Sequence, residues 1–298
     1  MIAAFLGSAS FAAAALIAGA VLAASQARAE WIADAEAAYV FDDNVSNAQL
    51  ESDIRSDAAF LVRASGGYYF QLSDRTGATL NAMLMREEHV RYSGLSYIGI
   101  GPSASIRTKL GVGPDAPWVR LSASALRREF DDDDARTGWL FAVAAAAGVR
   151  VSERVGLRAE LRLERQLADR KEPLSARFSG AAFDLDSASL SIAADYTASR
   201  ETTVSLGYSY RSGDVVSSTL RNAAIFSASE AIARDPAFGP DVIAYRLDAN
   251  SHIFDLRVSH ALGDRMSVNF GLGRTLSYGD GGNNYYRSSV TASLLYNF

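Results

Sequence analysis

The chain ends with the stretch YYRSSVTASLLYNF, residues 285–298. Apolar or aromatic side chains occupy alternate positions of this stretch: Tyr286, Val290, Ala292, Leu294, Tyr296 and Phe298. The positions between them are mostly polar. Successive side chains of a strand point to opposite faces of the sheet, so this pattern predicts a strand with one apolar face and one polar face. The alternation alone also fits an amphipathic strand of a β-sandwich.

The same stretch resembles the C-terminal assembly signal of Gram-negative outer-membrane proteins. In that signal a terminal Phe follows apolar residues at alternate positions, and Leu294, Tyr296 and Phe298 match it. The resemblance implies a porin-like transmembrane β-barrel whose last strand faces lipid on one side and the lumen on the other. It also implies the barrel-assembly machinery as a partner.

The first part of the chain is typical of an exported protein. An apolar run from Phe11 to Ala24 is followed by Ala27-Arg28-Ala29, a small-residue pattern that signal peptidases cleave. We therefore predict a signal peptide over residues 1–29 and a mature barrel over residues 30–298. No Lys or Arg precedes the apolar run, and a retained membrane anchor is the alternative interpretation.

Composition narrows the possible functions. The net charge is −5, which disfavours nucleic acid as a partner, and there is no cysteine to form a disulfide, a thiolate nucleophile or a metal site. After the leader, no apolar run is long enough for a transmembrane helix. No phosphate-binding glycine loop and no metal-ligand spacing occurs, so we expect neither a cofactor nor a metal.

Alternating segments recur along the whole mature chain. We predict strands at residues 31–41, 58–70, 77–91, 96–110, 118–130, 138–151, 155–166, 182–198, 203–212, 244–262, 265–278 and 285–298. Short turns alternate with longer loops, as periplasmic turns and external loops do in outer-membrane barrels. The fold prediction is therefore an all-β, up-and-down antiparallel barrel of about twelve strands in the bacterial outer membrane. An even number of strands places both termini in the periplasm, and lipid and lipopolysaccharide surround the barrel.

Placing the apolar face outward assigns a set of charged side chains to the lumen. The predicted pore-lining residues are Arg63, Arg107, Lys109, Arg120, Arg150, Arg158, Glu160, Arg162, Glu164, Asp195, Arg211, Asp255, Arg257 and Arg287. Arg128 lies on the same face. One interpretation is a mesh of Arg–carboxylate bridges that makes a small barrel rigid. The other is a basic pore lining that favours anionic or sugar-like solutes. Both can hold together.

Three segments between the predicted strands have patterns of their own, and we make a separate prediction for each. The long segment 213–243 interrupts the strands, and residues 218–235 show helical spacing, so we expect a helical external loop there. In position it resembles the constriction loops of porins, and an ordered surface loop packed on the rim is the alternative. Phe41-Asp42-Asp43-Asn44 resembles the start of several families of outer-membrane barrels. We interpret it as a turn, with a Ca²⁺ site as the alternative. The four aspartates at 131–134 predict a solvated loop tip.

Enzymatic function is the weakest hypothesis. Of the three histidines, His252 follows Ser251, but adjacent residues of a strand point to opposite faces. Outer-membrane phospholipases carry a His-x-Ser-Asn-Gly stretch, which this chain lacks. We predict no catalytic residues and a passive, porin-like channel for small hydrophilic solutes. The alternatives are a non-transporting structural barrel and an outer-membrane lipid hydrolase.

Overall fold

The computed structural model describes residues 28–298 and shows one barrel wall. The strands are β1 Arg28–Asp42, β2 Asp57–Ser73, β3 Thr76–His89, β4 Tyr97–Lys109, β5 Trp118–Phe130, β6 Gly138–Arg150, β7 Val155–Ala168, β8 Leu185–Thr197, β9 Thr202–Thr219, β10 Ala231–Arg234, β11 Ile243–Ala261, β12 Met266–Gly279 and β13 Asn284–Asn297. The described residues hold one α-helix, α1, at Ala223–Ala228. Apart from its last two residues, the predicted signal peptide lies outside the described part of the chain and stays a prediction.

The wall closes because each strand pairs antiparallel with two neighbours. Strand β1 pairs with β13 from Asp34↔Asn297 to Asp42↔Ser289. Strand β9 pairs with β11 along its whole length, and the short β10 pairs with β11 outside the wall. The ring therefore contains every strand except β10, which confirms the predicted twelve-stranded barrel. A closed ring leaves no unpaired sheet edge in the lipid.

The two ends of the barrel differ. The connections at 74–75, 151–154, 198–201 and 262–265 are two to four residues long. Together with the eight-residue connection 110–117 they lie at the end where β1 begins and β13 finishes; we call this the turn end. The opposite end, which we call the loop end, carries the segments 43–56, 90–96, 131–137, 169–184, 220–242 and 280–283. Five of these six segments are longer than a tight turn.

The outer face of the wall is an exposed apolar band. On β7, Leu161 is 50 % exposed and pairs across the ladder with Leu190, which is 54 % exposed. Aromatic pairs such as Trp31–Tyr68 and Tyr39–Phe60 stand on the same outer face of β1 and β2. A contiguous apolar surface of this kind is stable against lipid and not against water. Among residues 28–298, no helix is long and apolar enough to cross a membrane.

The segment after strand β9 departs from the prediction. Strand β9 continues to Thr219 instead of ending at Ser212, because residues beyond Gly213 keep pairing with β11 after β8 has ended. At Gly213 the backbone has φ 134°, and a Cβ there would lie 2.3 Å from the carbonyl oxygen of Asp186. Only glycine fits this position.

The predicted helix over residues 218–235 is also wrong for most of its length. Only Ala223–Ala228 is helical, with the Asn222 side chain accepting hydrogen bonds from the first backbone N–H groups. The next residues form β10, whose backbone pairs with β11 and buries Ile232 completely. Burial and strand pairing therefore override the helical composition of this segment.

The face assignment can be tested with one pair of substitutions on β7. Leu161→Arg places a cation in the apolar band, which costs about 2–4 kcal/mol near the bilayer midplane. Arg162→Leu removes one side of the inner-face pair with Glu164 (2.9 Å) and costs about 0–1 kcal/mol, because both side chains are partly solvated. Equilibrium unfolding in urea from lipid vesicles measures both effects. Equal destabilisation by the two variants would contradict the assignment of faces.

Deletion of Phe298 tests the assembly of the barrel in cells separately from the stability of the folded barrel. Its ring is 72 % exposed, while its backbone N–H donates to the carbonyl of Ala33 at 3.0 Å. We expect the truncated chain to refold spontaneously in detergent but to fail to assemble in cells, because the terminal pattern resembles the assembly signal of outer-membrane proteins. The heat-modifiable band on gels reports assembly in both settings. Normal assembly of the truncated chain in cells would contradict the prediction.

Candidate functional site

The inner face of the barrel encloses three cavities stacked between the two ends. The turn-end cavity has a volume of about 510 Å³ and is lined by Arg107, Trp118, Arg120, Arg150, Arg158, Glu160, Asp195, Asp255, Arg257 and neighbouring small residues. The middle cavity, of about 460 Å³, shares Arg120 with it. The loop-side chamber, of about 420 Å³, lies beneath the loops of the loop end.

An aromatic–cation stack forms one wall of the turn-end cavity. Trp118, the first residue of β5, turns its ring inward over Gly148, where a Cβ would lie 2.5 Å from the indole. The guanidinium of Arg107 stands 4.5 Å from the ring centroid and that of Arg120 stands 6.0 Å from it. Cations over an indole face are held by its quadrupole. The stack positions both arginines, and only Arg120 also contacts a carboxylate, that of Glu160.

The middle cavity has a polar wall and a wall of small residues. Strands β3, β4 and β5 contribute Thr79, Asn81, Ser103, Ser105, Ser122 and Ser124. Strand β6 contributes Ala142 and Ala144, which leave open space where larger side chains would fill the barrel. Arg63, Arg120 and Arg162 complete the lining, and no carboxylate takes part in it. Hydroxyl and amide groups beside arginines suit a hydrated or hydroxylated anionic solute.

The register places the predicted pore-lining residues on the inner face. Twelve of them line one of the three cavities: Arg63, Arg107, Arg120, Arg150, Arg158, Glu160, Arg162, Asp195, Arg211, Asp255, Arg257 and Arg287. Lys109 and Glu164 share the inner face with them, through the pairs Lys109↔Trp118 and Ala142↔Glu164. They do not line these cavities.

Most of the inner arginines are bridged to carboxylates. The bridges are Arg63–Glu36 at 2.5 Å, Arg120–Glu160 at 3.4 Å, Arg150–Asp115 at 3.7 Å, Arg158–Asp195 at 3.5 Å, Arg162–Glu164 at 2.9 Å, Arg257–Asp255 at 4.0 Å and Arg287–Asp42 at 3.4 Å. Within residues 28–298, Arg107 and Arg211 have no carboxylate oxygen within 4.0 Å. The arrangement combines a bridged mesh with unbridged cations.

Loops of the loop end meet over the lumen and form what we call the cap, residues 43–56, 90–96, 131–137, 169–184, 214–246 and 280–283. The loop 43–56 reaches the extended part of β9, where the backbone N–H of Ser218 donates to the Ser46 carbonyl at 2.8 Å. The Asn47 side chain donates to the Val216 carbonyl at 3.0 Å. Near the turn at 93–95, Tyr92 packs on Phe238 with ring centroids 5.0 Å apart.

The cap has its own hydrophobic core. Its largest buried cluster comprises Val215, Ile225, Ile232, Ile243, Tyr245, Leu247, Ala249 and Tyr285, with Leu174, Phe178 and Phe226 packed against it. Tyr245 and Leu247 are fully buried. Buried apolar side chains of this size stabilise packing by about 1.5–3 kcal/mol each. The cap is therefore an ordered lid and not a set of loose loops.

A buried ion cluster lies at the centre of the cap. Arg136 donates to Asp133 at 2.9 Å and to Asp235 at 2.6 Å, and the Ser218 hydroxyl donates to Asp235. The ring of Phe183 lies 4.5 Å from the guanidinium. The cluster therefore joins three segments of the cap through one cation, and sequence analysis did not identify it.

The predicted solvated tip at residues 131–134 is wrong at its third aspartate. Asp133 is only 1 % exposed, because its carboxylate accepts hydrogen bonds from Arg136 and from the backbone N–H of Ala135 inside the cap. Burial raises the pKa of Asp133 to about 6; Arg136 opposes this shift, and the charge of Asp235 adds to it. Two buried carboxylates share one guanidinium, so one of them keeps its proton to higher pH.

The predicted turn after β1 is a hydrogen-bonding centre. The Asn44 side chain donates to the carbonyls of Ala48 at 2.9 Å and Tyr286 at 3.1 Å, and it accepts from the Ala48 N–H at 3.0 Å. Asp43 accepts from the N–H of Ser288 at 2.6 Å. These groups serve the turn and tie it to β13. Among the described residues, no three His, Asp or Glu side chains are grouped to hold a metal ion.

The histidines and their neighbours form no hydrolase geometry in the described residues. Ser251 points inward and bonds to the Ser277 hydroxyl at 2.9 Å, whereas His252 lies on the outer face and contacts the Tyr208 hydroxyl at 2.9 Å. His89 contacts Asp57 and Glu87, each at 3.1 Å. Neither of these two imidazoles has a serine hydroxyl as partner, and the third, that of His260, contacts the Thr202 hydroxyl at 2.9 Å.

The comparisons with known proteins agree on the fold. The sequence matches no protein-family model and no curated protein. Among solved structures, the COG4313 outer membrane channel from Pseudomonas putida F1 has a TM-score of 0.61 at 12% identity, over 90% of this chain and 96% of that one. The two chains share the fold of a closed antiparallel β-barrel. At 12% identity, this similarity shows a shared fold and says nothing about which solute the chain takes.

Two porin structures show lower similarity. The KdgM porin in complex with disordered oligogalacturonate has a TM-score of 0.46 at 9% identity, over 89% of this chain and 99% of that one. The NanC porin has a TM-score of 0.45 at 9% identity, over 89% of this chain and 100% of that one. Scores at this level add no argument about this chain.

Removing the central cation should open the cap. Arg136→Ala leaves two buried carboxylates without a counter-ion, which costs about 3–5 kcal/mol. Hydrogen exchange followed by mass spectrometry should show loss of protection in residues 131–137 and 231–246, with the strands of the wall unchanged. The matched control is Arg170→Ala, because the Arg170–Asp134 pair (2.6 Å) is exposed and contributes about 0–1 kcal/mol. Equal loss in both variants would contradict the role of the cluster.

Cap stability should also depend on pH through Asp133. Its pKa is raised in the folded cap, so its stabilising contribution is complete below the ordinary pKa of 3.8 and is lost as pH rises through about 6. We expect less protection of the cap at pH 7.5 than at pH 5, after correction for intrinsic exchange rates. Asp133→Asn should remove the difference. A pH dependence that persists in this variant would assign the effect to another group.

Proposed function

We propose that this chain is a passive, porin-like channel of the bacterial outer membrane for small hydrophilic solutes, with a preference for anions. The observation that carries the proposal is the charge balance of the cavities. Five arginines and three carboxylates line the turn-end cavity, three arginines and no carboxylate line the middle cavity, and four arginines and one carboxylate line the loop-side chamber.

The sign of the lining decides which solutes enter. A water-filled tube with low-dielectric walls focuses the field of its lining charges, so local charge outweighs the overall net charge of −5. Bridged arginines keep part of their field, and the unbridged Arg107 and Arg211 add to it. The lumen therefore attracts anions, although much of the acidic excess of the chain lies in turns and loops.

The orientation follows from the two ends of the barrel. We propose that the signal peptide 1–29 directs export and that the barrel-assembly machinery recognises Leu294, Tyr296 and Phe298. The turn end with both termini then faces the periplasm, and the loop end faces outward among lipopolysaccharide. Outward pairs near the loop end, such as Arg127–Asp169 at 2.7 Å, suit the polar headgroup region.

In this channel, transport depends on the opening of the cap. It covers the loop end, so a solute passes only when cap segments move apart. Removing Arg136 should therefore raise the conductance of single channels, while the walls of the barrel stay intact. The proposal names no enzyme activity and no cofactor.

Planar-bilayer recordings test the anion preference. In a salt gradient, the reversal potential of the Arg136→Ala channel should show anion selectivity at low salt, and the selectivity should fade as screening shortens the field. Adding Arg107→Ser, Arg120→Ser and Arg257→Ser should weaken or reverse it. The control replaces the outward-facing Arg86 and Arg127 by Ser and should leave selectivity unchanged. Cation selectivity in the channel with its inner arginines would overturn the anion preference.

A structural barrel without transport is the second candidate, because the bridges and the cap both make the barrel rigid. It predicts no conductance even in Arg136→Ala, provided that the variant assembles. A lipid hydrolase is the third candidate, and release of fatty acid from phospholipid vesicles would support it. His252→Ala and His89→Ala should then lower that release.

A further inference from the structure

The loop-side chamber differs from the other two cavities in its chemistry. Apolar side chains form much of its wall: Val45, Phe130, Phe183, Leu185, Val215, Val216 and Ile253. Four arginines complete it, Arg128, Arg136, Arg211 and Arg287. The chamber therefore combines an apolar surface with cations, whereas the middle cavity combines cations with hydroxyl groups.

Arg128 is the unusual member of this set. Its guanidinium lies 5.7 Å from the ring of Tyr97 and 5.6 Å from the ring of Phe130. Its Nε is buried and has no hydrogen-bond partner. Within the described residues, no carboxylate oxygen lies within 4.0 Å of it. Arg128 is thus a shielded cation without a directly bonded counter-ion; the charges of Glu87 and Glu164 act on it only from beyond 4.0 Å.

The other groups of the chamber do not supply that counter-ion. Arg136 and Arg287 are bridged to carboxylates, while Arg211 donates to the backbone carbonyl of Asp214 at 2.8 Å. The one carboxylate of the lining, Asp214, accepts from the N–H of Asp186 at 2.8 Å and lies 4.0 Å from Arg246. Two guanidiniums of the chamber, those of Arg128 and Arg211, therefore have no carboxylate oxygen within 4.0 Å among the described residues.

A buried cation without an anion is costly, because desolvation is not repaid by attraction. An anion that enters the chamber would recover that energy through charge-assisted hydrogen bonds. The apolar wall would at the same time favour a ligand with a hydrocarbon part. A volume of about 420 Å³ is within the range of small-molecule sites.

We propose that the loop-side chamber binds a small amphipathic carboxylate. The carboxylate lies against Arg128 and Arg211, and the aliphatic part packs on Leu185, Val215 and Ile253. The cap closes the chamber on the loop side through Asn47 and Phe183. This binding does not depend on conduction, so it goes beyond the proposed channel function and can hold even if the barrel does not transport.

Calorimetric titration of the purified full chain in maltoside micelles, with empty micelles as blank, tests the proposal. Hexanoate should bind saturably. Hexanol should bind at least about tenfold more weakly because it lacks the charge, and acetate should do so because it lacks the apolar part. Arg128→Gln should weaken hexanoate binding about tenfold or more.

The matched control is Arg257→Gln, an inner-face arginine of the turn-end cavity, which should leave hexanoate affinity within about twofold. If Arg128→Gln does not fold, Ile253→Ser replaces it and should weaken hexanoate binding while acetate binding stays unchanged. No binding of hexanoate to the unaltered chain would overturn the proposal. Equal affinities for hexanoate and acetate would also overturn it, as would equal weakening by Arg257→Gln.

Discussion

The structure depends on one constraint, that no backbone N–H or C=O of the wall is left unpaired in lipid. An unpaired group there costs several kcal/mol, so the sheet must close on itself. Closure is achieved where β13 pairs with β1 and where β9 pairs with β11. Once the ring is closed, every strand has one face toward lipid and one toward the lumen. The position of each charged side chain of the lumen follows from this ring.

Space inside the ring is set by residue size as much as by charge. The alanines of β6 leave room in the middle cavity, while the arginines on the facing strands fill part of it. Bridges to carboxylates hold most arginines in place, and the Trp118 stack holds two of them at the turn end. The rigid mesh and the proposed preference for anions thus depend on the same side chains.

The cap is a second folding unit built on the barrel wall. It exists because β9 and β11 continue beyond the end of β8 and provide a sheet on which the loops pack. Its apolar core supplies stability, whereas Arg136 between two aspartates makes that stability sensitive to charge. Beneath the cap, the Nε of Arg128 is buried next to apolar walls without a hydrogen-bond partner. A lid with an ordered apolar core and a stability that depends on the charge of its aspartates is suited to controlling access to the chamber.

The sequence by itself determined the strands and their faces, because side-chain alternation is a local property of the chain. The alternation is pronounced here because one face of each strand contacts lipid and therefore carries apolar side chains. Residues 118–130 form β5 as predicted, and Arg158 and Arg162 of β7 line the turn-end and middle cavities. Only the tertiary structure decided the cap and the absence of a carboxylate oxygen within 4.0 Å of Arg128 in the described residues. The Arg136–Asp235 pair joins residues 99 positions apart, and Asn47 bonds to a residue 169 positions away. No local pattern encodes such contacts, because they depend on loops meeting across a ring that must close first.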